Sequence, residues 1–208
     1  MSALFQRKRK KEVSSFFYHS SSEVTAGQLN DSKTPCFYCG GHENWLARFA
    51  IRQPGTRHAQ LRELVYHIFR QVGHQVARTI ADAQYQVARV QPKATLAEHL
   101  EEFEKLWSWM SEQWYAYLSA DQREKFLKLE TEIQRDLFRI LENFARLAAI
   151  KNQPDFPFPI QHLAGRIGVS FQHMSKLRQR LNGSIIAQTA PSITNRSAAR
   201  FRWCLRGA

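Results

Sequence analysis

The sequence predicts a mainly α-helical chain: a helical bundle, a Pro-rich linker, then a C-terminal helix-turn-helix carrying a small β-hairpin. Three observations predict it. Apolar residues recur at three- to four-residue spacing through most of 57–150. Three prolines fall within residues 152–159 and cannot continue a helix. Beyond them, two short amphipathic runs meet at Gly168, and the last residues alternate between apolar and basic. The length of 208 residues allows one domain or two small ones. Hydrophobic residues make up 43% of the chain, enough for a packed core. With 14 Phe, 5 Trp and 6 Tyr, wholesale disorder is not expected.

Residues 1–34 are rich in Ser, Lys and Arg without a sustained period and read as a basic, disordered arm. Its Arg7–Lys11 run suits phosphate binding or a localisation signal, and equally a solvated tail. The bundle is placed at 35–151. Its first helix spans about 57–72, with Leu61, Leu64, Val65, Ile68, Phe69 and Val72 on one face and Gly73 as terminator. A second, roughly 74–88, stripes Val76, Ile80, Ala83 and Val87. Pro92 breaks the chain, and Thr95 with Glu98 forms a capping box for the third. That helix carries Leu96, Leu100, Phe103, Leu106, Trp107, Met110, Trp114 and Tyr117. Ser119 and Gln122 open a fourth, predicted to run unbroken to about Ile150 through Phe126, Leu129, Ile133, Leu137, Ile140, Leu141, Phe144, Leu147 and Ala148. Trp107 and Trp114 lie one heptad apart and read as core, whereas Trp109 falls off the stripe. His67, His74 and His99 lack metal-ligand spacing and read as surface or buried neutral residues.

Charge is the outlier. Thirty Lys+Arg against 18 Asp+Glu give a net +12, which points to a polyanionic partner, nucleic acid before anionic membrane. The excess is local. Residues 151–208 hold nine Lys/Arg against Asp155 alone, whereas 36–150 hold 15 against 14. The polyanion argument therefore belongs to the C-terminal segment.

Within 160–206, a short helix starting at Ile160 is followed by Gly168-Val169-Ser170 and a second helix from Phe171. Met174, Leu177 and Leu181 share one face of that second helix. Gln172, His173, Ser175, Lys176, Gln179 and Arg180 project elsewhere. Those residue types match base edges of the major groove: Arg and Lys pair with guanine, Gln with adenine, Ser with either. Ile185 and Ile186 start a short strand, Thr189–Ser197 is a polar loop, and Ala199–Arg206 alternates as a half-buried strand. Arg196 in the loop and Arg200 and Arg202 on the strand are placed to meet phosphate. Two strands joined by a polar loop after such a helix make a winged helix, and residues 160–206 resemble winged-helix DNA-binding domains. The Ala198–Trp203 ending is similar to winged helices appended to bacterial and phage replication proteins.

Pro54–Gly73, through Gly55, Arg57, His58, Leu61, Leu64 and Gly73, resembles the helical domain that follows the catalytic module in primase-polymerase and primase-helicase proteins. That resemblance implies no catalysis here, because such families carry their metal-binding carboxylates in a separate module. Arg57 and His58 read equally as helix-start residues. Cys36-Phe37-Tyr38-Cys39-Gly40-Gly41-His42 resembles half of a zinc ribbon, including those of phage-type primases. Cys36, Cys39 and His42 are the candidate zinc ligands. A structural zinc needs four. No second CxxC follows, and Cys204 and His58 are the remaining candidates. A degenerate ribbon or two reduced thiols beside a Gly-Gly turn would look the same.

Three cysteines do not make a disulfide scaffold and fit a reducing compartment. No run of about 18 apolar residues exists, and the first residues lack the apolar core of a signal peptide, so neither a membrane partner nor secretion is predicted. No Walker loop is present, and no nucleophile, base and orienter can be assembled. The expectation is a non-enzymatic double-stranded DNA-binding protein of the cytoplasm or nucleoid. Its role would be that of a replication accessory or primase-derived protein of a plasmid, phage or mobile element, with replication or mobile-element proteins as partners. Two readings stay beside it: a transcriptional regulator, and a protein–protein adaptor in a replication complex.

Overall fold

The computed structural model describes residues 49–53, 55–88, 90, 92–192 and 198–205. The arm and the Cys36–His42 motif lie outside these residues. Among the described residues five helices come first: α1 (Arg57–Ile68), α2 (His74–Gln86), α3 (Leu96–Ala116), α4 (Ala120–Leu127) and α5 (Glu132–Ile150). Then follow β1 (Phe156–Pro157), α6 (Ile160–Ile167), α7 (Phe171–Leu181), β2 (Ile186–Ala190) and β3 (Arg200–Trp203). The chain is thus mainly helical with one small antiparallel sheet, in the order β1-β3-β2. Among the described residues no helix is long and apolar enough to cross a membrane.

The helix starts follow their caps. Thr95, Ser119 and Thr131 each accept from the backbone N–H three residues on, and Glu98, Gln122 and Gln134 reach back to complete capping boxes. The third box corrects one expectation: the long helix from 119 to 150 is two helices. The chain breaks after Leu127 and restarts at Glu132. Phe126, Leu129 and Ile133 keep helical spacing across the break, so the apolar stripe alone does not reveal it. The face of α2 also differs from the expected stripe. It buries Val76, Ala77, Ile80, Ala81 and Gln84, while Val87 caps the helix and is exposed.

The core is aromatic and continuous. Trp107 meets Phe69 (5.0 Å between ring centroids) and Phe103 (5.6 Å). Trp114 meets Phe69 (6.5 Å), Phe126 (5.3 Å) and Phe138 (6.2 Å), and Phe138 meets Trp203 of β3 (5.2 Å). Phe144 of α5 meets Phe156 of β1 (6.2 Å). These contacts carry the packing without interruption from α3 to the sheet.

Residues 152–159 do more than connect. Phe156 and Phe158 are buried, and β1 pairs with β3 in the register Phe156↔Phe201 and Pro157↔Arg200. Pro157 is tolerated because β1 is an edge strand, where a missing N–H breaks no ladder. On its other side β3 pairs with β2, Ile186 opposite Trp203 and Gln188 opposite Phe201, with an irregularity between Gln188 and Ala190.

A buried polar joint ties the α1–α2 turn to α5 and α6. Asp136 accepts from the His74 N–H (2.7 Å) at the start of α2 and pairs with Arg139 (2.6 Å). Arg139 also donates to the Val72 carbonyl (3.0 Å), and its guanidinium lies 4.5 Å from the Phe69 ring centre. The Gly73 N–H donates to the Arg166 carbonyl of α6 (2.8 Å). A Cβ on Gly73 would stand 2.9 Å from Asp136 Oδ2 and 3.2 Å from the Ile167 backbone, so only glycine lets the turn come this close.

Candidate nucleic-acid interface

Helix α6 ends because Gly168 adopts a left-handed conformation (φ 82°, ψ 32°), from which its N–H still reaches the Ala164 carbonyl. Ser170 then caps α7, its hydroxyl accepting from the His173 N–H (3.2 Å). The two helices pack through Leu163, Ala164 and Ile167 on one side and Met174, Leu177 and Leu181 on the other, all buried.

That packing determines what α7 shows to solvent. At about 100° per residue, Gln172 and Gln179 lie opposite the buried stripe, Ser175 and Lys176 flank them, and Phe171 and Arg180 mark the two edges. Gln172, His173, Lys176, Gln179 and Arg180 are exposed, and Ser175 is half-buried. Of the six α7 residues expected from sequence to face a ligand, five are therefore exposed and one, Ser175, is partly so.

The hairpin contributes less than expected. Arg202 points outward and is exposed. Arg200 is held by Asp155: Nε donates to Oδ1 (2.6 Å) and a terminal nitrogen to the Asp155 carbonyl (3.1 Å). Thr189 adds a hydroxyl bond to the same carboxylate (2.8 Å). These hydrogen bonds, Arg200 first and Thr189 second, hold the Asp155 carboxyl below its ordinary value. Arg196 lies outside the described residues. Cys204 is exposed beside Arg202, and its N–H donates to the Ile185 carbonyl (2.9 Å).

Among the described residues, Lys176, Arg178, Arg180 and Arg202 make no ion pair. Asp155 is the only acidic residue of the segment, and Arg200 occupies it. The face thus combines uncompensated cations with amide and hydroxyl donors that have no acid to bind. Such a surface attracts anions.

In the helical half six Lys and Arg side chains hold carboxylates, whereas Arg62, Arg123, Lys125 and Arg135 make no ion pair among the described residues. Arg57 pairs with Glu102 (2.5 Å), and His58 bonds the same carboxylate. Burial works to raise Glu102, but the His58 hydrogen bond and the Arg57 charge outweigh it and leave the carboxyl below its ordinary value. His99 is fully buried beside this pair. Its Nε2 lies 3.1 Å from the Ala81 carbonyl, which can only accept, so the proton sits there and Nδ1 faces Arg57 (3.5 Å). Burial pushes His99 below its ordinary value, and the Arg57 cation adds to that. Among the described residues, no group of three or more His, Cys, Asp or Glu is placed to hold a metal. Cys36, Cys39 and His42 lie outside those residues.

Two features of the interface escaped the sequence reading. The clamp on Arg200 has one sequence signal, since Asp155 is the sole acid available to nine cations. The other is Phe171, 52% exposed at the first position of α7, which a helical wheel puts at the edge of the polar face. Compared with protein-family models, curated proteins and solved structures, the chain matches none.

Proposed function

We propose that the C-terminal elements form a winged helix that binds double-stranded DNA without catalysis. In this reading α7 enters the major groove and the β2–β3 hairpin lies along the backbone. The observation that carries it is the α7 face, where exposed Lys176 and Arg180, without an ion pair among the described residues, stand with Gln172, Ser175 and Gln179, and to which the exposed Arg202 of β3 adds a further unpaired cation. Two helices meeting at a glycine turn, followed by two paired strands, supply the element order of a winged helix. β1 and α5 complete its core through Phe156, Phe144 and Phe138. Arg200 is left out of the contact set, because its guanidinium is committed to Asp155. Lys176 and Arg180 would read base edges, and Arg202 would meet phosphate. The resemblance of residues 54–73 to primase-associated helical domains favours a replication setting over transcriptional control.

The test is fluorescence anisotropy of the full chain on random-sequence duplex and single-stranded DNA across a salt series. Wild type is expected to prefer duplex with a steep negative log–log salt slope. Replacing both Lys176 and Arg180 by Ala is expected to weaken binding at a selected site by about 10- to 100-fold. Replacing Arg202 by Ala is expected to weaken all duplexes alike and lower the slope by about 1. Wild type that shows no salt-dependent duplex binding overturns the reading and turns the face toward an acidic protein partner.

A further inference from the structure

We propose that Phe171 is a specificity-determining residue that selects thymine, through its 5-methyl group, at one position of the DNA site. This rests on the duplex-binding reading above. Phe171 is the first residue of α7, and the leading end of a recognition helix contacts base edges. Half of its side chain is in water. Its ring makes no aromatic or cation–π contact with any described residue. The other large exposed hydrophobics among the described residues (Tyr66, Val87, Trp109, Tyr117, Leu127 and Ile150) all precede residue 151.

Local structure gives Phe171 no other task. Ser170 already caps the helix. The hydrophobic-staple positions, just before the cap and four residues into the helix, belong to Val169 and Met174. The core stripe is complete with Met174, Leu177 and Leu181. A phenyl ring has no donor or acceptor, so it cannot read the polar groups of a base pair. The one apolar feature of the major-groove edge is the thymine methyl, and Phe is among the side chains that match it. Its neighbours specify the surroundings: Gln172 follows it and Ser175 lies one turn on, both donors at the same groove face, with unpaired Lys176 beside them. A protein partner of apolar character would meet this polar and cationic surround at a desolvation cost, whereas DNA meets it with phosphates and base acceptors.

The experiment uses the full chain and a duplex selected from a random-sequence library by wild type. Each thymine of that duplex is replaced in turn by deoxyuridine, which removes the methyl and nothing else. At one position wild type is expected to lose about three- to tenfold in affinity, the scale of one buried methyl. Phe171→Ala is expected to bind the unmodified duplex weaker by a similar factor and to be indifferent to that replacement. Phe171→Leu, which keeps an apolar side chain, is expected to retain part of the discrimination. Thermal unfolding of each variant checks the fold, which an exposed position should leave intact. Wild type that binds every deoxyuridine duplex like the parent overturns the assignment, as does Phe171→Ala that still discriminates. If wild type selects no duplex at all, the duplex-binding reading itself fails and the assignment falls with it. If binding survives and only the methyl preference is missing, the assignment alone is overturned.

Discussion

Between Arg57 and Arg139, six cations (Arg57, Arg70, Arg78, Lys105, Lys128 and Arg139) each hold a carboxylate; in α7 and β3, Lys176, Arg178, Arg180 and Arg202 hold none among the described residues. Within the first set Arg57, Arg70, Arg78 and Arg139 join elements or lie buried, whereas Lys105 and Lys128 form exposed pairs one turn apart. Arg57 joins α1 to α3 through Glu102, Arg70 joins the end of α1 to α5 through Glu142 (3.7 Å), and Arg78 joins α2 to α3 through Glu104 (3.3 Å). The second set faces solvent. The contrast is one of degree, since Arg62, Arg123, Lys125 and Arg135 of the helical half also lack an ion pair among the described residues, but the C-terminal cations have only Asp155 to share. It does not coincide with a break in the core, because Phe138 packs on Trp203 and Gly73 bonds Arg166 across the same divide.

The strongest way to break that comparison is at the joint. Asp136→Ala would leave Arg139, itself buried, without its counter-charge and would free the His74 N–H. Stranding a buried charge costs about 3–5 kcal/mol, a large share of the stability of a chain this size. Urea unfolding followed by both far-ultraviolet dichroism and tryptophan fluorescence should show one transition shifted to lower urea. Separate transitions for helices and sheet would mean that the two regions stand independently.

A smaller effect isolates the charges that join elements. His99 is neutral in the folded chain and sits against Arg57, with Glu102, Asp82 and Tyr85 around it. The unfolded chain takes up a proton on this residue near its ordinary value of 6.5, and the folded chain does so only at lower pH. The contribution to stability is therefore complete above that value and declines as pH falls below it. The slope from this one group is at most about 1.4 kcal/mol per pH unit. Wild-type unfolding free energy should drop between neutral pH and pH about 5 by more than that of His99→Gln. Equal drops would remove His99 from the account.

The smallest effect is expected at the exposed helical pairs. Lys128 and Glu124 are one turn apart and both largely in water. Lys128→Ala should change stability by no more than about 0.5 kcal/mol, with that change fading in high salt. A larger loss would show that surface pairs, and not the core, hold this half together.

How much of this was legible in the sequence depended on how local the signal was. The boxes at Thr95/Glu98 and Ser119/Gln122 are written in adjacent residues and were read correctly as helix starts. Thr131/Gln134 is written the same way but lies under an uninterrupted apolar stripe, which argued for continuation. β1 is two residues long, includes a proline and forms only because β3, more than 40 residues later, offers it an edge. The α7 face followed from periodicity and emerged with its exposed residues as expected. The Asp155 clamp and the Asp136–Arg139 joint depend on partners distant in sequence, which spacing does not encode.

The close approach at Gly73, together with the rings that meet across α5, has a practical consequence for dissecting the protein. Cutting the chain at the prolines would strip Phe156 and Trp203 of Phe144 and Phe138. The released C-terminal piece would present a fresh oily surface to its neighbours and would be prone to self-association. A fragment meant to stay monodisperse should instead begin at the Thr131 cap, so that α5 travels with the sheet it covers.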